Sequence, residues 1–132
     1  MPNIRLATYD DLPRLKELMA MSGVEVPGID YSEFTGLVLV AEQDEKVVGF
    51  IQMLAGLPYS NLTEMAVDPN YRGQLIGRAL LQAAEETLLA AGCPAWTTVT
   101  SKEYIADALR DWGAEYTGQL YGFVRVIKHG DC

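Results

Sequence analysis

Apolar residues recur along the chain in two rhythms, one of period two and one of three to four, and their alternation outlines the elements. Asn3 to Thr8 predicts a short strand. Asp10-Asp11-Leu12-Pro13 then predicts a helix start, because acids complement the positive end of the helix dipole and proline's missing N–H is harmless in the first turn. Leu12, Leu15, Leu18, Met19 and Ser22 repeat at helical spacing up to Gly23. Residues 24–36 carry Pro27, Gly28 and Gly36 and leave room for no more than a short second helix around Tyr31 to Thr35.

Leu37 to Glu42 and Lys46 to Leu54, rich in Val, Ile and Leu and joined at Asp44-Glu45, predict a β-hairpin. A further strand, Asn61 to Val67, ends at Asp68-Pro69-Asn70, where proline interrupts the ladder. Ile76, Leu80, Ala83, Ala84, Thr87, Leu88 and Ala91 form a helical face closed by Gly92 and Pro94. Ala95 to Thr100 favours strand, and Tyr104, Ile105, Ala108, Leu109 and Trp112 predict a helix over Lys102 to Trp112 that stops at Gly113. Two last strands fall near Glu115 to Leu120 and Phe123 to Lys128. The order β-α-α-β-β-β-α-β-α-β-β describes a single α/β domain over residues 1–132, a mixed and mostly antiparallel sheet flanked by helices.

Length agrees, since 132 residues bury one core and not two. No apolar run approaches the roughly 20 residues of a membrane span. The opening Met1-Pro2-Asn3-Ile4-Arg5 lacks a basic start with an apolar stretch behind it, so the expected location is cytoplasmic. The net charge of −8 argues against nucleic acid or anionic membrane as a partner. It is uneven: from Glu17 to Asp68 there are nine acids and one base, Lys46. With two cysteines, Cys93 and Cys132, and a single histidine, His129, neither a zinc cluster nor a Ser-His-Asp arrangement has its parts, and no metal is expected.

The stretch from Glu64 to Leu81 is a strand, a stop, a loop with two glycines and the first turns of a helix. Consecutive N–H groups in such a loop, with those of the helix start, suit a phosphate or pyrophosphate, and Arg72 and Arg78 add charge. Spacing alone leaves open a second reading, a tight strand-to-helix turn whose glycines serve sterics only.

Arg72-Gly73-Gln74-Leu75-Ile76-Gly77 resembles the acyl-CoA-binding motif of the GNAT N-acetyltransferase superfamily, Arg or Gln followed by x-x-Gly-x-Gly or Ala. Ile4-Arg5-x-Ala7-Thr8-x-x-Asp11-Leu12 resembles that family's opening strand and helix, and Val40-Ala41-Glu42 with Lys46-Val47-Val48-Gly49-Phe50 resembles its central hairpin. The resemblance implies transfer of an acetyl group from acetyl-CoA to a primary amine of a small molecule or peptide. By that likeness, main-chain groups of Met65, Ala66 and Val67 pair with the pantetheine arm. Gly73, Gln74, Leu75, Ile76 and Gly77, with Arg72 and Arg78, hold the pyrophosphate. It also suggests a homodimer through the late strands. The acidic segment would border the acceptor, which makes a cationic amine the expected partner.

Three positions depart from the family pattern. Leu75 stands where its middle glycine falls, and Leu109 where a tyrosine acid falls, while Lys102 replaces an asparagine. These departures define an alternative, an acyl-CoA-binding sensor or interaction protein of the same fold without turnover. Expelling a thiolate of pKa about 8.5 at pH 7 costs only about 2 kcal/mol, whereas freeing an alkylamine of pKa about 10.4 costs nearly 5 kcal/mol, so a missing acid is more tolerable than a missing base. Glu64 is the candidate base. Strict alternation would set Leu62, Glu64 and Ala66 on one face of the strand and Asn61, Thr63, Met65 and Val67 on the other, unless a bulge intervenes. Asn61 or Thr63 could instead orient a water, and Tyr104 and Tyr121 are substitute acids.

Overall fold

A computed structural model describes residues 2–21, 36–100, 103–116 and 122–127. The short helix expected around Tyr31 to Thr35, the candidate Tyr121, and Lys102, His129 and Cys132 lie outside them. The strands are β1 (Asn3–Leu6), β2 (Leu37–Gln43), β3 (Lys46–Leu54), β4 (Ser60–Val67), β5 (Ala95–Val99), β6 (Glu115–Tyr116) and β7 (Gly122–Val126). The helices are α1 (Leu12–Met21), α2 (Ile76–Ala90) and α3 (Glu103–Trp112). The first strand ends at Leu6, two residues before the expected Thr8, because Thr8 enters a 3-10 turn at Tyr9–Asp11 that feeds α1. None of the helices is long and apolar enough to cross a membrane, among the described residues.

The strands form one sheet in the order β1-β2-β3-β4-β5-β7-β6. Every neighbouring pair is antiparallel except β4 and β5, which run parallel. That exception is brief: only Ser60 pairs with Trp96 and Asn61 with Thr97, while β4 runs on to Val67.

Period-two alternation divides the sheet's side chains between two layers. Val38, Val40, Phe50 and Ala66 pack under α1 with Leu15, Leu18 and Met19. Leu39, Ala41, Ile51 and Met53 pack under α2 and α3 with Ile76, Leu80, Leu88, Ile105 and Leu109. Gly49 lets α2 settle on the sheet, since a Cβ there would lie 3.1 Å from Ile76 Cγ2 and 3.1 Å from the Ala66 carbonyl.

Strict alternation fails on β4. Gln52 pairs with Glu64 but Met53 pairs with Leu62, so Thr63 is an extra residue, a β-bulge. Leu62 therefore joins Met65 and Val67 on the α2 side rather than sharing a face with Ala66, which corrects the unbroken two-residue pattern. In α3 the correction is a rotation: Ile105, Ala106 and Leu109 are buried, while Tyr104 and Ala108 face a cleft.

One buried polar cluster ties the late strands to α2. Glu85, 2% exposed, accepts from the Trp96 indole N–H at 2.8 Å and from Arg125 Nε at 3.2 Å. A carboxylate so placed is tolerable only with such partners, so α2, β5 and β7 hold one relative position.

At the other edge, Arg5 makes paired hydrogen bonds of 2.8 Å to Asp11 and a further one to Glu42, joining β1, β2 and the entry to α1. The Arg5 guanidinium, helped by the Thr8 N–H, lowers the Asp11 carboxyl from 3.8 to about 2, against the opposing effect of burial. The pKa is lower in the folded chain, so this contribution is complete above the unfolded value and fades as pH falls toward 2. It amounts to about 2 kcal/mol. Urea midpoints at pH 5 and pH 2 should show wild type losing that increment, whereas Asp11→Asn, less stable at pH 5, loses correspondingly less.

Candidate functional site

Past Asn61 and Thr97, β4 and β5 no longer pair, and a cleft of about 320 Å³ lies beside the far half of β4, between it, the start of α2 and α3. Met65 and Val67 form its floor, Tyr71 to Arg78 its near rim, and Tyr104, Ile105, Ala108 and Asp111 of α3 its far wall.

The rim is built by a chain of local constraints. Asp68 caps a 3-10 turn at Pro69–Tyr71 by accepting the Asn70 N–H at 2.9 Å. Gly73 and Leu75 then take left-handed backbone, with φ of 82° and 63°, and turn the chain into α2. The first bond of the helix is Ala79 N–H to the Leu75 carbonyl at 3.1 Å. The N–H groups of Ile76, Gly77 and Arg78, in the first turn of α2, have no acceptor within the helix, and those of Gly73 and Leu75 find none among the described residues. Such donors at the positive end of a 15-residue helix are arranged as an anion would need them. Gly77 brings them close to β4: a Cβ there would stand 3.0 Å from Met65 Cε.

Both arginines of the motif rest on aromatic rings of α3. Arg72 lies 3.6 Å from the Tyr104 ring centroid and donates through Nε to the Val67 carbonyl at 3.2 Å. Arg78 lies 5.7 Å from the Trp112 centroid. The Tyr104 hydroxyl accepts the Val67 N–H at 3.4 Å, so both main-chain groups of Val67 are engaged from the cleft. The β2–β3 turn braces the rim from outside, where Tyr71 donates to Asp44 at 3.2 Å and Gln43 to Gln74 at 2.9 Å.

The candidate base sits elsewhere. Counting from the bulge, Glu64 falls on the α1 side of β4 with Ala66, whereas Met65 and Val67 face the cleft. Glu64 is half-buried, and its carboxylate accepts the Met65 N–H at 3.3 Å. Asn61 and Thr63 are exposed, the latter donating to the Gln52 carbonyl. Leu109 is fully buried in the core, so the helical position of the family's tyrosine serves packing here. Cys93 is buried at the end of α2, its N–H on the Leu88 carbonyl. No group of three or more His, Cys, Asp or Glu among the described residues is placed to hold a metal ion. The α3 wall was legible only indirectly: Tyr104, Ala108 and Asp111 follow one another at helical spacing beside the apolar face Ile105, Leu109.

The site thus joins a mixed sheet that parts along β4 to a helix N-terminus beside a cleft. The acetyltransferase (GNAT) domain model matches residues 35–110, and the chain belongs to that family. Solved structures agree on the fold. A GNAT-family acetyltransferase from Staphylococcus aureus superposes with TM-score 0.78 at 18% identity over 97% of this chain and 100% of that one. PaiA N-acetyltransferase from Thermoplasma acidophilum, in complex with coenzyme A, gives 0.72 at 19% over 98% and 99%. The Escherichia coli ribosomal-protein-S18-alanine N-acetyltransferase gives 0.73 at 21% over 98% and 97%. No curated protein matches the chain.

Leu75 is 63% exposed, so its side chain gains little from packing while its backbone bears the left-handed strain. Leu75→Gly should raise stability by about 1 kcal/mol, partly offset by glycine's freedom in the unfolded chain. Urea titration checks this, and a lowered midpoint would mean that the leucine side chain outweighs the strain.

Proposed function

We propose that the protein is an acetyl-CoA-dependent N-acetyltransferase in which a primary amine attacks the thioester directly. The observation that carries this reading is the set of N–H groups without acceptors at Gly73 and from Leu75 to Arg78, beside the cleft along β4. The pyrophosphate of acetyl-CoA would take these donors with Arg72 and Arg78 beside them. The pantetheine arm would lie along Met65, Ala66 and Val67 and exchange hydrogen bonds with their main chain. Tyr104 and Arg72, which engage Val67 from the cleft, would yield to it or bridge to it.

The amine would approach from the α1 side, the side of Glu64, which would take its proton directly or through a water. Donor and base thus stand on opposite faces of one strand, with the reacting carbon between them. Collapse of the tetrahedral intermediate expels thiolate, and Tyr104 is the phenol in the cleft that can protonate it.

The acceptor is proposed to be cationic in its resting form. The support is narrower than the charge of the whole segment, because Glu17, Glu42 and Asp68 are paired with Arg14 and Arg5 and Glu64 is the carboxylate on β4 itself. The second reading, a CoA sensor without turnover, is favoured by Leu109, which puts no hydroxyl where the family has one.

Thiol release from acetyl-CoA, assayed with diamines, lysine-like amines and neutral amines, separates the two readings. Acceleration above hydrolysis, steeper for the dications and weakened by salt, is expected. A melting shift with acetyl-CoA but no acceleration by any amine or peptide would leave the sensor. Glu64→Gln should lower turnover by roughly 100-fold with acetyl-CoA affinity by calorimetry unchanged. Normal rates in this variant would remove Glu64 from the mechanism.

A further inference from the structure

The donor loop begins at a carboxylate that its charge alone does not explain. Asp68 is 2% exposed, and four polar contacts converge on it. Its N–H bonds to the Val48 carbonyl at 2.8 Å, and its carbonyl accepts the Tyr71 N–H at 2.9 Å. One carboxylate oxygen accepts the Asn70 N–H at 2.9 Å, and the other receives Arg14 Nη2 at 2.7 Å. An asparagine would cap the turn equally well with no charge to bury. The charge is met by Arg14, which belongs to α1 on the other face of the sheet from α2.

Arg14 is itself fixed. Its Nε donates to the Val47 carbonyl at 2.8 Å and its Nη1 to Glu17 at 3.0 Å. Val47 and Val48 are consecutive on β3, so one stretch of strand holds the arginine through one carbonyl and the aspartate through the next. Burial opposes the ionised form of Asp68, yet the carboxyl lies below its ordinary value because the Asn70 N–H and Arg14 outweigh that effect. Such a pair has few alternative geometries, since a displaced carboxylate would be buried without its partner.

We infer that Asp68, clamped by Arg14, is the positioning residue of the donor loop, setting where the N–H groups of Gly73 to Leu75 stand relative to those of the α2 start. The inference rests on the reading of that loop as the pyrophosphate cradle. The helix amides at Ile76 to Arg78 are placed by core packing, with Ile76 only 1% exposed. The loop amides lack core packing; side-chain bonds of Tyr71, Arg72 and Gln74 brace the loop, and residues 69–72 tie its main chain to Asp68. A cradle assembled from two parts binds a pyrophosphate well only if the parts keep register, and Asp68 supplies it.

Calorimetry with acetyl-CoA on Asp68→Asn, Arg14→Met and Arg14→Lys tests this. Asp68→Asn and Arg14→Met should weaken acetyl-CoA binding roughly ten-fold, by analogy with other losses of a supporting shell. Arg14→Lys, which keeps the charge, should recover most of the affinity. In steady state the KM for acetyl-CoA should rise by the same factor, with kcat and the KM for the amine within about two-fold of wild type. If Asp68→Asn does not fold, Arg14→Met against Arg14→Lys carries the same comparison. Unchanged acetyl-CoA affinity in the folded variants, or a fall in kcat alone, would overturn the positioning role. Wild-type protein that fails to bind acetyl-CoA would instead overturn the reading of the loop.

Discussion

The parting of β4 from β5 is the constraint on which the site depends. Two adjacent parallel strands would ordinarily bond along their shared length and leave no room for a ligand. Here they share two residue pairs, reinforced by Thr98 Oγ1 on the Leu62 carbonyl at 2.7 Å, and then separate. The separation persists because each strand is claimed from its other side. β4 is bonded to β3 from Asn61 to Val67, and β5 to β7 from Ala95 to Val99. Glu85 adds a cross-tie through Trp96 and Arg125, which keeps the late strands against α2 and prevents the sheet from closing up. A buried ionic group of this kind contributes less to net stability than to the uniqueness of the arrangement.

The bulge at Thr63 gives the opening its two-sidedness. Without it, Leu62 and Ala66 would share a face, and the segment nearest β5 would present the wrong side chains to α2. With it, Leu62 anchors in the same core as Met65 and Val67 while Glu64 is turned to the α1 layer. One extra residue thus separates the side chain able to accept a proton from the wall that would carry the thioester. The base has to reach the nitrogen on the side from which the amine adds to the carbonyl, and this strand offers a different group on each face.

The elements, their order and the loop between Val67 and Ile76 were legible because periodicity, proline and glycine report local geometry. What escaped depends on pairing between distant segments. No local signal marks Thr63 as the extra residue, since a bulge exists only relative to β3. Glu85 reads as a solvated carboxylate on α2, and its burial follows from Trp96 and Arg125, far along the chain. Leu109 and Tyr104 are both apolar or aromatic at helical spacing, and only the rotation of α3 decides that the first is core and the second lines the cleft. At Leu75 the residue type argues against left-handed backbone, yet the turn into α2 imposes it, so local preference yields to the connection.

Charge changes its meaning in the same way. The acidic stretch from Glu17 to Asp68 looks like one surface when read along the chain, but the fold disperses it. Arg5 and Arg14, both outside that stretch, reach back to pair with Glu42, Glu17 and Asp68, and Asp44 turns its carboxylate to Tyr71 at the rim of the donor cleft. Acids that seemed to advertise an attraction for cations are therefore partly structural, holding β1, α1 and the donor loop to one another. An exposed ion pair would be worth little for this purpose, but Asp11 and Asp68 are nearly buried and each is held by several hydrogen bonds. Under the proposed reading, Glu64 on β4 is a carboxylate that would both attract an ammonium group and accept its proton. Attraction and deprotonation at one atom pair oppose each other in strength, because a stronger ion pair raises the amine's pKa. A half-buried carboxylate such as Glu64 would moderate that conflict, since partial burial limits hydration of a paired ammonium group.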